Sequence, residues 1–100
     1  MNEPIKIGDY RQFPAGEGRK CTVRGEEIGI FNLGDEFRAV SNRCPHKGGP
    51  LSDGLVLGAE VICPVHSRKI DLKTGSVANE AEKVKTFEVF LKDGDVYLKL

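Results

Sequence analysis

The sequence predicts an all-β domain of short antiparallel strands closed into a small barrel or sandwich. Three observations predict it. Apolar and polar residues alternate over short runs, most cleanly from Lys85 to Lys92. Those runs lie between turn residues, with 12 Gly and 5 Pro along the chain. No segment sustains a helical period over a dozen residues, which leaves many closely spaced strands as the reading.

The elements follow in order. Arg19 to Val23 and Glu27 to Leu33 flank Arg24-Gly25-Glu26, a hairpin-turn signal. Gly34-Asp35 introduces Glu36 to Ser41, where Phe37, Ala39 and Ser41 alternate with Glu36, Arg38 and Val40, as expected of a half-exposed strand. Val61 to Cys63 and Arg68 to Leu72 are short strand candidates, and Thr74-Gly75 reads as a turn. In Lys85 to Lys92, Phe87, Val89 and Leu91 share one side and Thr86, Glu88 and Phe90 the other, before Asp93-Gly94 turns the chain into Val96 to Leu100. The least regular stretches are Asn42 to Leu55, Pro64 to Ser67 and Val77 to Lys83.

Bulk properties bound the function. A chain of 100 residues is expected to be one domain, 1–100. Such a chain buries roughly two-thirds of its unfolded surface, so a bound metal centre would add stability it could use. Hydrophobic residues make up 39% and charged residues 30%, as in soluble globular proteins. Lys plus Arg equals Asp plus Glu at 15 each, which gives no reason to expect nucleic acid or an anionic membrane as partner. No apolar run approaches the roughly 20 residues of a membrane helix. Met1 to Tyr10 lacks a basic region followed by an apolar stretch, so no signal peptide is expected and the cytoplasm is the expected compartment. Three cysteines in that compartment argue against a disulfide framework and for metal binding or a buried thiol.

Two irregular stretches carry both histidines and two of the three cysteines: Cys44-Pro45-His46, then sixteen residues, then Cys63-Pro64-Val65-His66. Each turn pairs a soft thiolate with an imidazole, and each has a proline after the cysteine that stiffens it. Gly48 and Gly49 follow the first histidine, where backbone could approach a bound group closely. A lone cysteine is usually a buried hydrophobe and a lone histidine usually structural, but two near-repeating turns are hard to explain that way. Cys21 has no partner motif and is expected to face the core. Two thiolates and two imidazoles suit tetrahedral zinc or an iron–sulfur centre with mixed ligands. Zinc fingers usually pair the cysteines and the histidines separately, whereas here each turn mixes them, as a binuclear cluster could require.

Cys-x-His followed by Cys-x-x-His at this gap resembles the ligand signature of Rieske proteins, and the resemblance runs from about Asn42 to the C-terminus. It implies three small antiparallel sheets with a [2Fe–2S] cluster at the tip of two loops. It also implies Cys44 and Cys63 on the inner iron and His46 and His66 on the outer one. The runs Cys44-Pro45-His46-Lys47-Gly48-Gly49-Pro50-Leu51-Ser52-Asp53-Gly54 and Lys69-Ile70-Asp71-Leu72-Lys73-Thr74-Gly75 are similar to the small subunit of assimilatory NAD(P)H nitrite reductase. The closing segments Val84 to Val89 and Asp93 to Leu98 are similar too. Arg68 and the stretch Ala78 to Glu82 depart from that pattern. The resemblance implies a flavin- and sirohaem-bearing large subunit as partner. The alternative is the ferredoxin of aromatic-ring dioxygenases, whose partners are a reductase and an oxygenase; its loops match less well at His46-Lys47-Gly48-Gly49.

Respiratory Rieske subunits add a cysteine to each loop, where this chain has Gly49 and Val65, and place hydroxyls where it has Arg68 and Ile70. Without those hydroxyls to bond the cluster sulfurs, a potential at the low end of the Rieske range is expected, near roughly −150 mV. No catalytic residue of its own is expected, only one-electron transfer. Arg43, Lys47, Arg68 and Lys69 could steer an acidic partner to the loops or form a solvated rim. A zinc-stapled binding module is the rival class, told apart by colour. A Cys/His nucleophilic enzyme would leave the second pair unexplained.

Overall fold

The computed structural model describes residues 3–43, 49–64, 67–78, 81 and 83–100. Nine strands form two antiparallel sheets: β1 (Ile5–Asp9), β2 (Gly18–Val23), β3 (Glu26–Asn32), β4 (Phe37–Ser41), β5 (Leu55–Leu57), β6 (Glu60–Ile62), β7 (Lys69–Asp71), β8 (Thr86–Lys92) and β9 (Asp95–Lys99). Six strands, in the order β1-β9-β8-β4-β3-β2, roll nearly into a barrel; the other three form a small sheet, β5-β6-β7. The larger sheet consists of two three-stranded ribbons joined by a short β4–β8 ladder, Ala39↔Phe87 and Val40↔Thr86. The expected three small sheets are therefore present, with two of them fused along one edge. Among the described residues no helix is long and apolar enough to cross a membrane.

Turn chemistry sets the register. Val23 pairs with Glu26 across Arg24 and Gly25, whose φ angles are 51° and 82°. Lys92 pairs with Asp95 across Asp93 and Gly94, at 52° and 81°. Both are two-residue turns with two positive φ angles, whose twist matches that of the flanking strands. Glu26, read from sequence as part of the first turn, is the opening residue of β3.

The half-exposed reading of Phe37 to Ser41 is corrected: both faces of β4 are covered. Ala39 packs with Phe13, Ile28, Ile30, Val96 and Leu98 inside the rolled sheet. Val40 on the opposite face packs with Phe31, Leu51, Val61, Cys63 and Ile70, against the small sheet. β3 is shared in the same way, with Ile28 and Ile30 on one face and Phe31 on the other, all fully buried. Burial of each such side chain stabilises the fold by about 1.5–3 kcal/mol. Two strands were absent from the sequence reading, β1 and β5.

The small sheet and both Cys/His loops lie between β4 and β8 in the chain, as an excursion that leaves the barrel and returns beside its departure point. The Ser41 N–H donates to the Lys85 carbonyl at 2.8 Å and closes the excursion at its base.

Candidate metal centre

The second loop begins where β6 ends. Ile62 pairs with Lys69, and the ladder runs one step further: the Cys63 N–H donates to the Arg68 carbonyl at 2.8 Å. The Ser67 N–H then donates back to the Cys63 carbonyl at 2.9 Å, with Ser67 at φ 56°. The loop is thus a hairpin end closed by backbone bonds, with Pro64 exposed at its start. Cys63 itself is only 1% exposed, walled by Leu51, Val61 and Ile70.

The first loop is anchored by Asn42, the one polar residue among the described residues that is fully buried. Its N–H donates to the Glu27 carbonyl (3.0 Å) and its carbonyl accepts from the Leu51 N–H (3.2 Å). Its side chain accepts from the Ser52 N–H (2.7 Å) and donates to the Ser52 hydroxyl (3.0 Å). Four hydrogen bonds therefore join the two ends of the loop to each other and to β3, and Arg43 bridges Pro50 just above them. Two glycines make the space. A Cβ on Gly29 would lie 2.8 Å from Asn42 Oδ1, and one on Gly54 would overlap the Ile62 carbonyl and lie 2.8 Å from Val61 Cγ2. Leu51, at the exit of the first loop, and Cys63, at the start of the second, share one core cluster. That cluster fixes the two loop bases beside each other.

Of the four sequence-predicted ligands, Cys63 is described; Cys44, His46 and His66 lie outside the described residues, as do Lys47 and Val65. Arg43 and Lys69 are exposed and Arg68 is half-buried. Cys21 lies on β2, half-buried against the apolar cluster inside the rolled sheet, and burial pushes its thiol pKa up. Asn42, Gly29 and Gly54 were missed by sequence reasoning. An Asn closing a strand two positions before a cysteine was the available signal.

A domain profile described as Rieske [2Fe-2S] matches residues 3–90. This chain belongs to the Rieske [2Fe–2S] family. Its relatives include the 3-phenylpropionate/cinnamic acid dioxygenase ferredoxin subunit of Escherichia coli O9:H4, 36% identical over 90 residues, or 87% of this chain and 84% of that one. Among solved structures it resembles the Escherichia coli protein NirD, with TM-score 0.89, 26% identity, and coverage of 100% and 98% of the two chains. The putative NADH-dependent nitrite reductase small subunit of Mycobacterium tuberculosis shares the fold, with TM-score 0.93, 21% identity, and coverage of 100% and 96%.

A Rieske domain carries a [2Fe–2S] cluster and transfers electrons, and this chain does both. The described part of the site fits the group. Cys63 offers a soft sulfur donor in a carbon-lined wall that excludes water, the ligand type and setting an iron–sulfur cluster takes.

Proposed function

We propose that Cys44, His46, Cys63 and His66 hold the cluster, two thiolates on one iron and two imidazoles on the other, and that the chain is the cytoplasmic electron-carrying subunit of an NAD(P)H-dependent nitrite reductase. When bound, the cluster accepts and releases one electron at a time. The chain's own contribution is positional. Asn42 and Ser52 hold the first loop, the Cys63–Arg68 hairpin end holds the second, and the apolar wall keeps water from the buried side. No residue has to move a proton or form a bond to substrate, so the reaction proper belongs to a partner with flavin and sirohaem.

The observation that carries this reading is the ligand-loop run His46-Lys47-Gly48-Gly49-Pro50, together with full-length likeness to NirD at 26% identity. A second reading, ferredoxin of an aromatic-ring dioxygenase, is favoured by the 36% identity to the cinnamic acid dioxygenase ferredoxin subunit. One experiment separates them. Deleting the chain from its host is expected to abolish growth on nitrite as sole nitrogen source, and adding purified holoprotein to the host's sirohaem flavoprotein should restore nitrite-dependent NAD(P)H oxidation. Normal growth on nitrite, with the chain instead replacing the ferredoxin of a dioxygenase assay, would overturn the nitrite reductase reading.

The potential is a further expectation. Neutral imidazoles replace two thiolates, which raises the potential above that of an all-cysteine ferredoxin. Ile70, at a position where respiratory Rieske subunits carry a hydroxyl, is fully buried on β7 among Val61 and Leu72 and has no donor to offer a sulfur. A redox titration should therefore give a value near roughly −150 mV, the low end of the Rieske range. A clearly positive midpoint would contradict it.

A further inference from the structure

The bases of the two Cys/His loops come together where Gly54 leaves the first and the Ile62–Cys63 peptide enters the second. The β5–β6 ladder pairs Leu55 with Ile62, so the residue just before Leu55 lies beside the peptide just after Ile62. Gly54 adopts φ −78° and ψ 169°, extended backbone open to any residue. Conformation therefore does not call for a glycine at this position, but space does. A Cβ here would overlap the Ile62 carbonyl oxygen and lie 2.8 Å from Val61 Cγ2 and 3.1 Å from the Leu51 carbonyl oxygen.

Both sides of this contact are pinned. The Gly54 N–H donates to the Leu51 carbonyl at 2.9 Å, and Leu51 is fully buried in the wall around Cys63. The Ile62 carbonyl belongs to the peptide that carries the Cys63 N–H, which donates to the Arg68 carbonyl at 2.8 Å. Bulk added at Gly54 must therefore move one of two things. Either the Ile62–Cys63 peptide retreats and takes the Cys63 sulfur with it, or the turn Leu51–Asp53 retreats with the exit of the loop that bears Cys44 and His46. Both movements widen the gap between the loops. A methyl carbon and a carbonyl oxygen ordinarily meet at about 3.3 Å or more, whereas ligating side chains must be held within about 0.5 Å of their working geometry.

We propose that Gly54 is a positioning residue for the cluster: by lacking a side chain it sets the distance between the loop that returns at Leu51 and the loop that begins at Cys63. Gly54 supplies no ligand and acts through the Ile62–Cys63 peptide. Its role differs from that of Asn42, which joins the two ends of the first loop to each other and to β3. Gly54 instead fixes the first loop against the second, and a binuclear centre held by residues of both loops depends on that spacing. A wider gap strains the ligands themselves, so the effect is read at the cluster and not only in the stability of the fold. The inference rests on the reading of Cys63 and the first-loop residues as ligands, and it holds for either redox partner considered above.

The test compares holoprotein of Gly54→Ala with the parent and with Val96→Ala. Val96 is fully buried in the other core cluster, inside the rolled sheet, so its truncation lowers stability without touching either loop base. Gly54→Ala is expected to shift the g-values of the dithionite-reduced cluster in electron paramagnetic resonance. It should also release iron to a chelator roughly tenfold faster, the scale of effect when a group that orients a metal ligand is disturbed. Val96→Ala should melt lower and keep the parental g-values. If Gly54→Ala does not fold, Gly54→Ala/Val61→Ala is set against Val61→Ala alone. That pair removes the overlap with Val61 Cγ2 and keeps the overlap with the Ile62 carbonyl, so the g-values of the two should still differ. Parental g-values in Gly54→Ala, identical g-values in the Val61 pair, or an equal shift in Val96→Ala would overturn the proposal. Failure of the ligand reading shows separately, as a cluster that survives Cys63→Ser.

Discussion

Cys63→Ser will purify colourless, with iron and acid-labile sulfide at background, whereas Cys21→Ser will retain the full red-brown cluster. The contrast follows from where the two thiols sit. Cys63 is 1% exposed at the end of β6, in the wall shared by Leu51, Val61 and Ile70. Serine has nearly the same shape, so the wall stays filled, but a hydroxyl is a hard, weakly acidic donor in place of a soft thiolate. Cys21 lies on β2 against the other apolar cluster, and burial holds its thiol protonated. Because binding a metal centre is coupled to folding, the Cys63 variant should also melt well below the holoprotein, by more than the loss of one sulfur from the core would produce. Iron and sulfide analysis, visible absorbance and a melting curve check all three points. A Cys63→Ser protein with an unchanged visible spectrum would remove Cys63 from the proposed ligand set, and an equal loss in Cys21→Ser would show that the effect belongs to the fold.

Legibility in the sequence followed the length and alternation of each element. β8 and β9 were readable because seven- and five-residue strands flank an Asp-Gly turn whose positive φ angles suit those residues. β5 was not. It has three residues, Leu55–Leu57, set between glycines, and its two leucines are 61% and 51% exposed, the reverse of the usual burial. β1 was hidden because its alternation is broken by a register shift between Lys6 and Gly8. β4 was found but its exposure was misjudged. Alternation reports how polarity varies from one face to the other, whereas here the small sheet covers the second face through Val40. At the site, the paired Cys/His pattern proposed as the ligand set was legible in the sequence because cysteine and histidine are chemically unusual residues and here recur at fixed spacings. The supports of that pattern were not, because Asn42, Ser52, Gly29 and Gly54 act through contacts between β3, β4 and the turn Leu51–Asp53 that only the fold brings together.

Asn42→Ala tests how much of the site those supports carry. The substitution removes an acceptor for the Ser52 N–H and a donor for the Ser52 hydroxyl, at a position with no access to water. It leaves the two backbone bonds to Glu27 and Leu51 available. An orphaned buried group costs about 1–3 kcal/mol and a lost hydrogen bond about 1 kcal/mol, so a total near 2–3 kcal/mol is expected. In a domain of this size that lowers the melting temperature by roughly 10–20 °C. Ser52→Ala keeps the Ser52 N–H bond to Asn42 but leaves the buried Asn42 amide N–H without its acceptor, and should cost about 1–2 kcal/mol. The apoprotein gives the cleaner measurement, because a bound cofactor breaks two-state behaviour. The same pair of variants also bears on the site. The first loop springs from Asn42 and returns at Leu51, so loosening that junction frees both ends of the segment bearing Cys44 and His46. Iron release to a chelator should then run several-fold faster in Asn42→Ala than in the parent, with Ser52→Ala between them. A variant that melts lower yet releases iron at the parental rate would show that Asn42 supports the barrel and that the first loop is held by contacts of its own.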